Sequence, residues 1–253
     1  MLQSTRFSML PEVIKNLLII NGLFFLATIV FDSTFGINLI RLLGVYVPGS
    51  SNFSPYQIVT HMFMHGNFGH IFLNMFALWM FGNALENIWG GKRFLIYYLL
   101  TGFGAALLHL GVQYFEAQSI MSDLLQMGYT KNDIEQALRS GYATASGIGG
   151  QHGLEMIRQL ATMYAVPTVG ASGAVFGILL AFGMTFPNQR IYLYFLFPIK
   201  AKYFVGAIGA LELINGLAND PSSNIAHLAH LGGMLFGFIL LRYWKNNDPH
   251  FYV

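Results

Sequence analysis

Six stretches of the chain are almost free of charge: Leu17–Phe31, Gly69–Leu85, Phe94–Val112, Val169–Phe186, Tyr203–Leu217 and Ile225–Leu241. Together they hold one carboxylate, Glu212, and no lysine or arginine. A helix needs about 20 apolar residues to cross a bilayer, with a range of about 17–25. The segments are therefore read as six short spanning helices. Composition points the same way: 55% of the 253 residues are hydrophobic and 9% charged, whereas a soluble domain carries about 25% charged residues. So few charges cannot clothe a water-facing surface, and lipid must cover much of it. The expected fold is all-α, a polytopic membrane helix bundle with six transmembrane helices.

Lysine and arginine set the expected orientation. With the N-terminus inside, the inner side collects Arg6, Lys15, Lys92, Arg93, Arg190, Lys200, Lys202, Arg242 and Lys245. The outer side collects Arg41, Lys131, Arg139 and Arg158. Nine against four favours cytoplasmic termini. Residues 1–16 then form a short cytoplasmic segment, 17–243 the membrane domain and 244–253 a short tail. No small-residue cleavage site follows the first apolar stretch, which reads as a retained span. Net charge is +2 with no basic run, and nothing suggests nucleic acid. With no cysteine, disulfides and thiolate metal sites are excluded.

Two connections are unusual. Residues 32–67 carry Ile37, Leu39, Ile40, Leu42, Leu43, Val45, Tyr46 and Val47. They are too apolar for a free loop and read as a membrane-edge segment. Residues 113–167 form a long outer-side connection. Within it Thr130 and Asp133 have the spacing of a capping box, opening a helix with Ile134, Ala137 and Leu138 on one face. Met127-Gly128-Tyr129 with that helix resembles, over a short stretch, a ubiquitin-associated helix pair; a surface helical hairpin is the plainer reading.

Spans two, four and six run in the same direction, outside to inside, and each begins with a polar residue: His70, Ser172 and His230. First turns of parallel helices lie at similar depth, so these residues can meet just below the outer surface. Asn74 lies one turn beyond His70 on the same face. A serine hydroxyl needs a base to become a useful nucleophile, and neutral histidine serves at pH 7. The oxyanion formed on attack needs donors, which an Asn amide and a His N–H supply. Serine in a membrane helix more often packs or bonds to its own backbone than catalyses. The glycines around Ser172 and His230 also suit close helix packing. Coincidence at one depth is what favours chemistry, because polar side chains in a bilayer are expensive. No aspartate is placed to orient His230, so the arrangement reads as a dyad. Glu212 is given no part in it.

Three motifs carry a resemblance: Gly170-Ala171-Ser172-Gly173, His230-Leu231-Gly232-Gly233 with Gly237, and His70-Ile71-Phe72-Leu73-Asn74. In order and placement they resemble the signatures of the rhomboid intramembrane serine proteases, from about His61 to Leu241. The resemblance implies Ser172 as nucleophile and His230 as general base. It implies an oxyanion hole of His70, Asn74 and the Ser172 backbone N–H. Gly170, Gly173 and Gly233 would support the site, and Phe176 stands where the family often stacks an aromatic on the histidine. His61 and His65 match histidines that look structural, and Glu86 matches a structural acid. Tyr56-Gln57 stands in place of the family's common Trp-Arg pair, which leaves the anchoring of the edge segment open.

The expected activity is endoproteolysis of transmembrane helices rich in helix-weakening residues, with no cofactor and no metal. For a compact chain without a targeting extension, a bacterial plasma membrane is expected. Two rivals stand beside this reading. One is a non-catalytic relative that binds membrane clients. The other is a metal transporter or metallohydrolase built on His61, His65, His70 and His227, although no carboxylate is expected among those histidines. His109, His152 and His250 stand in no motif and read as structural or solvated.

Overall fold

A computed structural model of the chain describes residues 8–140, 149–193, 196–218, 226–248 and 251. Its helices are α1 (Glu12–Phe35), α2 (Leu39–Leu43), α3 (Gln57–Thr60), α4 (Phe68–Trp89), α5 (Gly91–Gln126), α6 (Lys131–Ser140), α7 (Gly150–Ala165), α8 (Ser172–Thr185), α9 (Ala201–Ala218) and α10 (His227–Asn247). A 3-10 turn, His61–Phe63, follows α3.

Six of these helices, α1, α4, α5, α8, α9 and α10, coincide with the six apolar segments, with shifted ends. Three of them, α1, α4 and α5, are long and apolar enough to cross a membrane. Helix α8 is apolar but has only 14 residues, about 21 Å at 1.5 Å per residue. It is short because it is central. Gly173, Ala174, Val175, Gly177, Ile178, Leu179, Ala181 and Phe182 are all buried, so protein rather than lipid covers its flanks. Non-helical backbone is tolerated at membrane depth under such cover.

The radial distribution of side chains is that of a protein in an apolar solvent. Small residues face inward along α8 and α10, while Ile19, Leu23, Leu26, Phe72, Leu73, Leu213 and Ile214 are exposed. Water would penalise that surface by roughly 25 cal/mol for each Å²; hydrocarbon does not. The chain is an integral membrane protein.

One end of the bundle is fastened by Glu86, near the end of α4. Its two carboxylate oxygens accept the Val13 and Ile14 backbone N–H groups, each at 2.9 Å. Pro11 at the N-cap has no capping side chain, so a carboxylate from a neighbouring helix satisfies two of the orphan donors of α1 and complements its dipole.

Among the described residues, the structure departs from the all-α reading between α8 and α9. Strands β1 (Arg190–Leu193) and β2 (Phe197–Lys200) pair antiparallel there, with Arg190 opposite Lys200. The third apolar segment also runs on as helix to Gln126, because no glycine or proline interrupts it before Gly128. Its extension places Ala117, Ile120 and Leu124 against Tyr129, Ile134, Ala137, Met156, Ile157 and Leu160. Thus the long connection is a three-helix unit of α5, α6 and α7 with its own core. The Thr130–Asp133 box is formed: the Asp133 N–H donates to Thr130 Oγ1 at 3.2 Å, and the Thr130 N–H to Asp133 Oδ2 at 2.8 Å.

The edge segment is tied down by backbone and amide. Val45 and Thr168 exchange two hydrogen bonds, of 3.0 and 2.8 Å. Gln57 is buried. Its Nε2 donates to the carbonyls of Asn52 and Leu42, at 3.0 and 3.3 Å, and its Oε1 accepts the Ser54 N–H at 2.9 Å. Tyr56 Oη donates to the Leu42 carbonyl at 3.2 Å. The Tyr-Gln pair thereby anchors the loop.

Two charge-assisted bonds contribute about 1.5–3 kcal/mol each. Glu86→Ala is therefore expected to lower unfolding stability in detergent by about 2 kcal/mol or more, read as a fall in melting temperature.

Candidate active site

Backbone approach between α8 and α10 builds the site. A Cβ on Gly233 would collide with the Gly173 carbonyl oxygen, and one on Gly173 with Ala105 of α5. A Cβ on Gly232 would lie 2.9 Å from the Ala105 Cα. Three helices thus touch through their main chains, which no larger residue permits. Ser172 opens α8, and His230 stands in the first turn of α10.

At that contact Ser172 Oγ and His230 Nε2 are 2.9 Å apart, the distance of a direct hydrogen bond. The His230 ring stacks on Phe176, centroids 4.0 Å apart and planes within 7°. Phe176 lies one turn beyond Ser172, so one helix supplies both the hydroxyl and the surface that fixes the imidazole. His230 is buried and Ser172 only partly so.

Gly170 turns the chain into α8. Its φ is +124°, a region that L side chains rarely adopt. A Cβ there would also lie 2.8 Å from His70 Cε1 and Nε2, so the His70 ring packs against this turn, beside Ser172. The Gly66 N–H points at His70 Nδ1 across 3.4 Å. That contact suits Nδ1 as an acceptor, the tautomer that carries its proton on Nε2, the nitrogen beside Gly170. Asn74 is buried, and its Nδ2 donates to the His70 carbonyl at 2.9 Å. The amide's second hydrogen is not used by that bond.

Behind the site, the His61 carbonyl accepts the Gly170 N–H at 2.9 Å, and His61 Nδ1 donates to the Gln57 carbonyl at 3.0 Å. His65 packs edge-on against His70, centroids 5.0 Å apart. Burial drives the pKa of both loop histidines down to about 4, and for His65 the neighbouring His70 adds to the effect.

One neighbour was missed by the sequence reading. Glu212 of α9 places Oε2 3.0 Å from His230 Nδ1 and 2.7 Å from His227 Nδ1. The His227 contact is an aligned hydrogen bond. The His230 contact lies at ion-pair distance but off the N–H axis, and Nδ1 makes no hydrogen bond among the described residues. The available signal was that Glu212 is the sole carboxylate in the six apolar segments, a costly placement in a bilayer.

The same three residues correct the metal reading. Among the described residues, the set whose donor atoms converge is Glu212, His227 and His230, within 4.8 Å of one another, rather than His61, His65, His70 and His227. Ligands around a tetrahedral zinc stand about 3.4 Å apart at bond lengths of about 2.1 Å. Both nitrogens here close on a single oxygen at shorter range, which suits hydrogen bonding and ion pairing better than shared coordination. His109 Nε2 lies 3.0 Å from Thr168 Oγ1, a structural contact, and His152 is exposed on α7. His250 lies outside the described residues.

The Rhomboid domain model matches residues 52–246. The chain belongs to the rhomboid family. It is 26% identical over 186 residues to Rhomboid protein 1, mitochondrial, of Saccharomyces cerevisiae, covering 74% of this chain and 41% of that protein. Over 203 residues it is 26% identical to the human Presenilin-associated rhomboid-like protein, mitochondrial, covering 78% and 40%. Over 191 residues it is 29% identical to Rhomboid protease AarA of Providencia stuartii, covering 71% and 52%. This rhomboid chain thus spans about two fifths of the length of the first two relatives.

Two outcomes follow from the packing. Gly233→Val forces α10 away from α8 and should lower stability by about 1–3 kcal/mol, with a fall in any Ser172-dependent activity. The second concerns pH. His61 and His65 are held neutral when folded, with pKa about 4 against 6.5 unfolded. Between those values the unfolded chain binds more protons, so stability is full above pH 6.5 and is lost as pH falls toward 4. Melting temperature should therefore drop across that window, and His61→Gln should flatten the dependence.

Proposed function

We propose that this rhomboid is an intramembrane serine endopeptidase that cuts transmembrane helices near their outer ends. The 2.9 Å contact between Ser172 Oγ and His230 Nε2, with the imidazole stacked on Phe176, carries the reading. In this reading His230 takes the hydroxyl proton on Nε2 as Oγ attacks the scissile carbonyl carbon. The carbonyl π pair moves to oxygen. His70 Nε2–H, the free Asn74 amide hydrogen and the Ser172 backbone N–H stabilise the oxyanion. A backbone N–H in the first turn of a helix has no partner within that helix, so Ser172 is free to donate. Collapse breaks the C–N bond, and the leaving amine takes the proton from His230. Water then attacks the acyl-enzyme with His230 again as base.

Six spanning helices and inward termini complete the topology that we infer. The short α8 then starts below the outer surface, with water reaching the partly exposed Ser172. A helical peptide bond is shielded, and its carbonyl is already hydrogen-bonded. Clients with Gly, Pro, Ser or Ala near the outer end should unwind most readily. We infer a bacterial inner membrane as the location; two of the relatives named above are mitochondrial, and AarA is named a rhomboid protease.

The test is cleavage of a fluorogenic transmembrane peptide in proteoliposomes. Ser172→Ala and His230→Ala should each reduce the rate by about 10³-fold or more, and a chelator should change nothing. Full cleavage by Ser172→Ala would remove the reading.

A further inference from the structure

His230 can accept a proton on Nε2 only as the tautomer that carries its hydrogen on Nδ1. In the alternative tautomer Nε2–H points at Ser172, and the pair is inert. Something must therefore favour Nδ1–H, yet Nδ1 is buried and makes no aligned hydrogen bond among the described residues. The charged atom facing it is Glu212 Oε2, at 3.0 Å. His227 holds the same oxygen at 2.7 Å from one turn earlier on α10. His227 fixes the carboxylate, and the carboxylate in turn faces His230.

We propose that Glu212 is a positioning residue for His230, holding the proton on Nδ1 and so presenting the Nε2 lone pair to Ser172. This rests on the Ser172–His230 reading above. The terminal torsion of a glutamate is soft, so the carboxylate can adjust toward Nδ1–H from its 3.0 Å approach. No proton passes to Glu212. As Ser172 Oγ bonds to the carbonyl carbon its proton moves to Nε2, and the ring becomes an imidazolium. The negative charge 3.0 Å from Nδ1 then attracts a full positive charge where it had faced a neutral ring. This interaction is stronger in the transition state than before it, which is the condition for raising kcat. The unit is a Ser–His–Glu arrangement on three helices, α8, α10 and α9.

The experiment measures kcat and KM for the fluorogenic transmembrane peptide in proteoliposomes, with wild type, Glu212→Gln, Glu212→Asp and Ser172→Ala. Melting temperatures of all four are taken in parallel. Glutamine keeps the shape and an acceptor for His227 but loses the charge. The expected result is a fall in kcat of about 100-fold for Glu212→Gln, with KM within about threefold and melting temperature retained. Glu212→Asp, which keeps a charge on a shorter stem, should recover at least tenfold of that loss. The proposal is overturned if Glu212→Gln keeps kcat within tenfold of wild type. It is equally overturned if Glu212→Gln and Glu212→Asp lose kcat and melting temperature together, since that marks a purely structural carboxylate. Activity persisting in Ser172→Ala is a separate failure, of the serine reading itself.

Discussion

The contact between Gly173 and Gly233 is the constraint on which the rest of the site depends. At this point α8 and α10 touch backbone to backbone, and Ala105 of α5 closes the third side. The apolar effect that drives soluble cores gives little attraction between helices already in hydrocarbon. Close main-chain approach, with its many small dispersion contacts, must serve instead. The same approach sets the length of the Ser172–His230 contact. A histidine ring and a serine hydroxyl from neighbouring helices meet at 2.9 Å only if the helix axes come nearer than larger side chains allow. Packing and chemistry are therefore one requirement here, and glycine is the residue that meets both.

Several polar groups inside the bundle are satisfied by partners close at hand. Glu86 caps α1 from another helix, and Gln57 ties three loop backbone groups. His61 links Gln57 to Gly170 through its ring and its carbonyl. The last of these joins the membrane-edge segment to the turn that presents Ser172. A disturbance of that loop is thus passed toward Ser172 through two hydrogen bonds. Neutral His61 suits that role, because an imidazolium buried behind the Gly170 turn would lack a counter-charge.

Much of the helical layout was legible because lipid imposes a simple rule: charge is excluded from the spans. Glu12–Phe35 and Phe68–Trp89 differ from the apolar segments that announced them mainly at their ends, where Pro11 and Asn67 start the helices and Gly36 and Gly90 stop them. The overrun of α5 was not legible by that rule, since its last turns carry Glu116 and Asp123 and bury Ala117, Ile120 and Leu124 against α6 and α7. Nor was the β1–β2 hairpin, whose alternation is too short to stand out. At the candidate site, spacing could place Ser172 near His230, because both follow from parallel helices starting at one depth. It could not place Glu212, whose approach depends on how α9 is rotated against α10. Rotation is set by side-chain packing, and α9 carries few buried residues, Ala201 and Val205 among them, to declare it.

That sparse packing has a consequence for Glu212. A helix held by a large apolar face could carry a carboxylate anywhere that water reaches. One with few buried side chains gains comparatively little from dispersion, so each polar contact weighs more in fixing its rotation. The bond from His227 to Glu212 is such a contact, and it lies within one turn of His230. An apolar residue at position 212 would remove the desolvation cost but also the feature that selects one rotation of α9 against α10. Retaining a carboxylate inside the helix bundle is intelligible when the same oxygen faces the two histidines that orient it. The carboxylate then serves the geometry of the helix pair at rest and, where the serine is activated, the charge that appears on the ring.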